Sequence, residues 1–156
     1  MKTIQSLIAI TTFAVGMTTA ASAAQSDPET ILYRVPGVVD NGGAMFAGVA
    51  TVVSCTNFSG ATENVRFVTR DLGGTLVSNS AFPVGHLKTF NVATHPVLSY
   101  AVADLATAQV FGGTIAIAAT SINIICTALI TDAGTSLPHG VSLRAIRFNP
   151  VAGSQE

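Results

Sequence analysis

The chain has 156 residues, of which seven are Lys or Arg and eight are Asp or Glu, giving a net charge of −1 and only 10% charged residues. Charge this sparse, with no clustered basic face, excludes a nucleic-acid footprint, and no polybasic amphipathic stretch marks a membrane-surface helix. Thr, Ser, Asn and Gly must therefore cover much of the surface, a composition that favours association with a partner or with a second copy.

The chain opens like a secretory signal. Lys2 is a minimal positive region, Leu7 to Met17 is an apolar run, and Ala21 to Ala23 supplies the small residues read by a signal peptidase. The run is too short to cross a hydrocarbon core of roughly 30 Å. Residues 1–23 are thus expected as a signal peptide and 24–29 as a loose N-terminus. A single β-sandwich domain is expected over 30–150, followed by a tail at 151–156. No cysteine sits at the cleavage point, so no lipid anchor is indicated.

Period-2 alternation dominates the body of the chain. In "NVRFVTRD", Val65, Phe67 and Thr69 fall on one face, with Arg66, Val68 and Arg70 on the other, which reads as a half-buried strand. Leu72 to Gly74 supplies a turn and "TLVSNSAF" a return strand, which together make a hairpin. "HLKTFNVAT" alternates again, with Lys88, Phe90 and Val92 on its more apolar face. "GTIAIAAT" and "INIICTALIT" are apolar enough to be central strands. "VSLRAIRF" starts in phase at Val141 but slips, so a bulge is expected near Ala145 or Ile146. Turn chemistry at Asp40–Gly43, Asn57–Gly60, Gly112–Gly113 and Asp132–Gly134 separates these runs.

Seven or eight short strands of this kind predict an all-β, antiparallel sandwich. The exception is His95 to Val110, where Val97, Tyr100, Ala101 and Leu105 stand at helical spacing. A short helix crossing one end of the sandwich and a plain loop over 96–107 are both compatible with it. From Ala101 to Ile130 Asp104 is the only formal charge, but glycines and polar residues interrupt the run, so no transmembrane anchor is expected in the mature chain.

Cys126 shares a strand face with Ile122, Ile124, Ala128 and Ile130, and Cys55 with Thr51 and Val53. Two inward cysteines on different strands of an exported domain should oxidise together. The spacing is not Cys-x-x-Cys and no histidine lies close in sequence, which argues against a redox or metal pair.

The segments "CTNFSGATENVRFVTRDLGGTL", "INIICTALITD" and "VSLRAIRFNP" resemble small exported bacterial proteins that pair a Cys-Thr-Asn strand end with a later Cys-Thr strand. The arrangement also resembles an immunoglobulin-like sandwich, although the tryptophan that packs on the bridge in such domains is missing. The likeness implies the sandwich architecture, with Cys55–Cys126 as an inter-sheet disulfide, and no activity.

Little else looks like chemistry. His86, His95 and His139 each sit beside a turn signal, and clustered at one end they could hold a metal, although their spacing matches no zinc signature. No Gly-x-Ser-x-Gly elbow exists for a hydrolase. Glu63, Asp71, Asp104 and Asp132 could form a carboxylate pair, but Asp71 and Asp132 precede glycines, where short acids cap turns. A stacked-sugar site lacks its aromatics, since there is no Trp and only Tyr33 and Tyr100. The expectation is an exported, periplasmic or extracellular, non-catalytic binding or structural module. It would need no cofactor and would act through a protein partner or self-association. The alternative is a small metal-dependent enzyme or metal-binding protein using His86, His95 and His139. N-terminal sequencing of the exported protein should read Ala24 first; an intact Met1 in a membrane fraction would refute the signal.

Overall fold

Alternating apolar side chains need a partner layer to bury against, and here they find one in a second sheet. The computed structural model describes residues 29–137 and 139–148. The expected signal peptide, most of the loose N-terminus and the 151–156 tail lie outside them. The described strands are β1 (Thr30–Asp40), β2 (Val49–Asn57), β3 (Glu63–Arg70), β4 (Leu76–Val84), β5 (Thr89–Ala93), β6 (Ala103–Asp104), β7 (Val110–Ala119), β8 (Ile124–Asp132), β9 (Gly140–Leu143) and β10 (Ile146–Arg147). The first sheet has the order β10-β1-β7-β3-β4 and the second β6-β5-β2-β8-β9. All pairings are antiparallel except β5 with β6. The protein is an all-β sandwich, with no helix among the described residues.

The inner faces are those the alternation indicated. Val65, Phe67 and Thr69 of β3 are fully buried, while Arg66 and Val68 are only half so. Val65 and Phe67 pack with Val35, Val38, Ile115 and Ile117 from the first sheet and Val53, Val92 and Ile124 from the second in one continuous core. The Tyr33 hydroxyl reaches across from β1 to the Ile124 carbonyl at 3.1 Å. At the opposite end the Thr51 hydroxyl of β2 both accepts from the Val39 amide (2.9 Å) and donates to the Val39 carbonyl (2.8 Å). These two side chains couple the sheets directly.

Ten strands form where seven or eight were expected, because β6, β9 and β10 are only two to four residues long. The phase slip in "VSLRAIRF" is larger than a bulge. β9 pairs with β8 in the second sheet, and β10 pairs with β1 in the first, so the chain changes layer at Arg144–Ala145. Gly112 and Gly113 are not a turn but a bulge inside β7, where the pairing steps from Val38↔Gly113 to Val39↔Phe111 and Gly112 takes a φ of +73°.

The segment after His95 is a loop rather than a helix. Ala106 and Ala108 have φ of 49° and 57°, and the Leu105 amide donates to the Ala93 carbonyl while β6 runs parallel to β5. Its apolar residues are still used. Val97, with Tyr100 and Val102, covers Ala50, Val52, Ala93 and Leu129 on the outer face of the second sheet, a small second core. Leu105 turns into the main core instead.

The cysteines do pair, but within one sheet. Cys55 on β2 lies directly opposite Cys126 on β8, with Cα atoms 4.2 Å apart, the separation of a non-hydrogen-bonded antiparallel pair. The expected inter-sheet bridge is corrected for that reason: β2 and β8 are neighbours, and both side chains point into the core from the same layer. The bridge still closes a 71-residue separation. Cys126→Ala should cost about 2–5 kcal/mol in denaturant unfolding; native protein with two reactive thiols would contradict the pairing.

Candidate functional site

The end of the sandwich where β1 leaves and β2 enters carries a buried polar cluster. "DNGG" after β1 makes an Asx turn: Asp40 Oδ1 accepts from the Gly42 amide at 2.7 Å, and Gly42 takes a φ of +68°. Asp40 is buried, and Thr107 Oγ1 donates to its Oδ2 at 3.3 Å. His95, just past β5, places Nδ1 3.0 Å from Asp40 Oδ1 and Nε2 3.0 Å from the Ala47 carbonyl. The Nδ1 contact lacks the direction of a hydrogen bond, and Nδ1 has no hydrogen-bond partner. Both ring neighbours are acceptors. A ring protonated on both nitrogens serves both, and a neutral ring only one.

The cluster holds three segments together: the end of β1, the 41–48 loop and the exit of β5. Nε2 is engaged by the Ala47 carbonyl and Nδ1 faces the Asp40 carboxylate, so the ring sits between two segments as a clasp. The loop it holds presents Met45 and Phe46 to solvent.

The three histidines do not meet. His86 lies at the other end, its Nδ1 accepting from the Gly60 amide at 3.0 Å. His139 shares the end of His95 but sits in the loop before β9, lining a shallow open groove with Asp132, Thr131 and Val141. Among the described residues no group of three or more His, Cys, Asp and Glu is placed to hold a metal ion. Asp71 and Asp132 cap turns as expected, accepting from the Thr75 and Gly134 amides, and Asp104 accepts from Ala106. Glu63 is fully buried, with Oε2 taking the Thr120 hydroxyl proton at 2.5 Å and no hydrogen bond to Oε1. Its phase with Val65 and Phe67 is the signal that could have placed it inward. Glu29, at the end of the expected loose stretch, is held by Arg66 and Asn64. The carboxylate raises the Arg66 pKa by hydrogen bonding and then by charge.

The other feature able to bind something is backbone. β10 and β6 are two-residue edges and β9 a four-residue one, whereas β4 is a nine-residue edge. The Asn64 amide donates to Thr120 Oγ1 and its carbonyl accepts from the Thr120 amide, so the Asn64 backbone faces the β7 side. Its alternating neighbours Val65 and Phe67 then face β4, and bond to Phe82 and Ser80. The remaining β4 groups, the Asn79 and Ala81 amides and the carbonyls of Asn79, Ala81 and Pro83, point away from the sheet. Leu76–Val84 carries no charge. Beside this edge Phe82, half-buried, stacks at 4.9 Å on Phe90 of the second sheet.

Comparison with protein-family models, with curated proteins and with solved structures finds no match. Asp40→Ala, which removes the acceptor for the Gly42 amide and the Thr107 hydroxyl and the carboxylate beside His95, should cost about 1–3 kcal/mol in denaturant unfolding. It should also speed amide exchange across residues 41–48, whereas unchanged stability and exchange would show that the clasp holds nothing.

Proposed function

We propose that the protein is an exported, non-catalytic binding or structural module that takes its partner by strand addition at β4. The observation behind this reading is the long uncharged edge. Exposed edges present unmatched amides and carbonyls, and proteins usually shorten them, bulge them or load them with charge. The other three edges end in strands of two to four residues, β10 on Tyr33 and Arg34 of β1, β6 on Val92 and Ala93 of β5, and β9 on Ala128 to Thr131 of β8. β4 has neither charge nor shortness; Pro83 and a bulge near its start blunt its two ends and leave Ser78 to Phe82 between them. Backbone pairing requires no distinctive side chains, and that accounts for a chain so poor in chemical motifs. A disulfide closed between β2 and β8 suits an oxidising compartment, and no helix among the described residues is long and apolar enough to cross a membrane.

Amide hydrogen exchange on dilute protein tests the reading at residue level. The Ser80 and Phe82 amides, bonded to β3, should exchange slowly, and the Asn79 and Ala81 amides fast. Addition of the partner should slow the fast pair. If Asn79 and Ala81 stay fast in the presence of whatever the protein binds, β4 is not the docking edge.

A further inference from the structure

We infer that the strand received by β4 is β4 of a second copy of this chain, paired antiparallel about a two-fold axis at Ser80. The inference rests on the reading of β4 as a strand-adding edge, and the edge itself limits what fits. Pro83 has no amide to donate. At the other end the β3 pairing steps from Thr69↔Ser78 to Arg70↔Leu76, leaving Val77 as an extra, bulged residue. The regular open edge therefore runs from Ser78 to Phe82, with Ser80 at its centre.

In an antiparallel two-fold pairing each residue faces one fixed counterpart. With Ser80 opposite Ser80 of the copy, Asn79 faces Ala81 and Ala81 faces Asn79. Each of these pairs exchanges both amide-to-carbonyl bonds, so all four outward amides find acceptors. A centre at Ala81 would set Asn79 against Pro83, which cannot donate. A centre at Asn79 would set Ala81 against the bulged Val77. Only the Ser80 register leaves both defects outside the central pairs.

The charge pattern allows the same occupant. β4 holds no charged side chain to repel its own copy, and the one guanidinium reaching over it, Arg66 on Asn79 Oδ1, is neutralised by Glu29. On the inner face the pairing brings Ser78 of the copy beside Phe82, covering an aromatic side left half-open at the sandwich margin. The union makes one sheet of ten strands from the two first sheets and uses the β4 edge of both copies, so the same two-fold contact cannot add a third and assembly stops at a dimer.

The test is the solution mass of the exported protein, with its disulfide intact, together with amide exchange on the same samples. The expected result is a dimer whose Asn79 and Ala81 amides become protected as protein concentration rises. Ala81→Pro, which removes one cross-edge amide from each copy but none bonded to β3, should raise the dimer dissociation constant about tenfold or more. Thr127→Lys, on the exposed face of β8, should leave it unchanged. Ser80→Cys should cross-link two copies on mild oxidation while Asn79→Cys does not, a readout independent of how well the proline variant folds. A monomer at all concentrations, or a dimer indifferent to Ala81→Pro with no Ser80→Cys cross-link, overturns the second copy as occupant. If the chain is monomeric but its Asn79 and Ala81 amides are protected by another component, strand addition survives and the self-pairing fails. If those amides stay fast under every condition, both fail.

Discussion

The register of β2 against β8 is the constraint on which the second sheet depends. Nine residue pairs run from Val49↔Asp132 to Asn57↔Ile124, with the bridged cysteines on this ladder. A one-residue slip would turn Val53, Cys55, Cys126 and Ala128 from core to surface, because strand side chains alternate with period two. The covalent link between opposed residues forbids that slip. β5 and β9 pair on either side of this ladder, and each inherits its register.

With the second sheet so held, the first is aligned on it by side chains that cross the gap. Tyr33 at one end and Thr51 at the other connect layers that the disulfide does not join. The Thr51 amide donates to Thr94 Oγ1, the Thr107 amide donates to the Thr94 carbonyl, and the Thr107 hydroxyl reaches Asp40 Oδ2. The loop end of the sandwich is thus a continuous polar network with His95 at its rim. A network of this kind rewards completeness, since each buried group left without a partner is costly. That physical demand accounts for Asp40 and His95 meeting among buried threonines at this end.

The two margins of the sandwich differ in a way that carries the functional reading. One margin is closed by β10 and β9, short strands joined at the point where the chain changes layer. On the other, the 103–107 segment covers part of the gap, with the Ser78 hydroxyl donating to the Leu105 carbonyl at 2.8 Å, and the edge of β4 beyond it stays open. Recognition through such an edge is encoded in backbone direction, so it leaves almost no trace in residue types.

The sequence by itself determined the all-β class, the inward faces of β3 and β8 around Phe67 and Cys126, the β3–β4 hairpin and the pairing of the two cysteines. Each of these follows from local alternation or from there being only two thiols, and needs no knowledge of what lies across the core. Ile122 marks the limit of such reasoning, since it is in phase with Cys126 yet falls in the turn before β8 and is exposed. Only the tertiary structure decided that the bridge lies within a sheet, because strand order is a non-local property that alternation does not encode. The same holds for the loop over 96–107, whose helical spacing was overridden by pairing of β6 with β5 and by burial of Val97 on a sheet face. It holds also for the separation of His86 from His95 and His139, and for the open flank of β4. Which loops share an end, and which strand is left without a neighbour, are consequences of how two sheets close on one core.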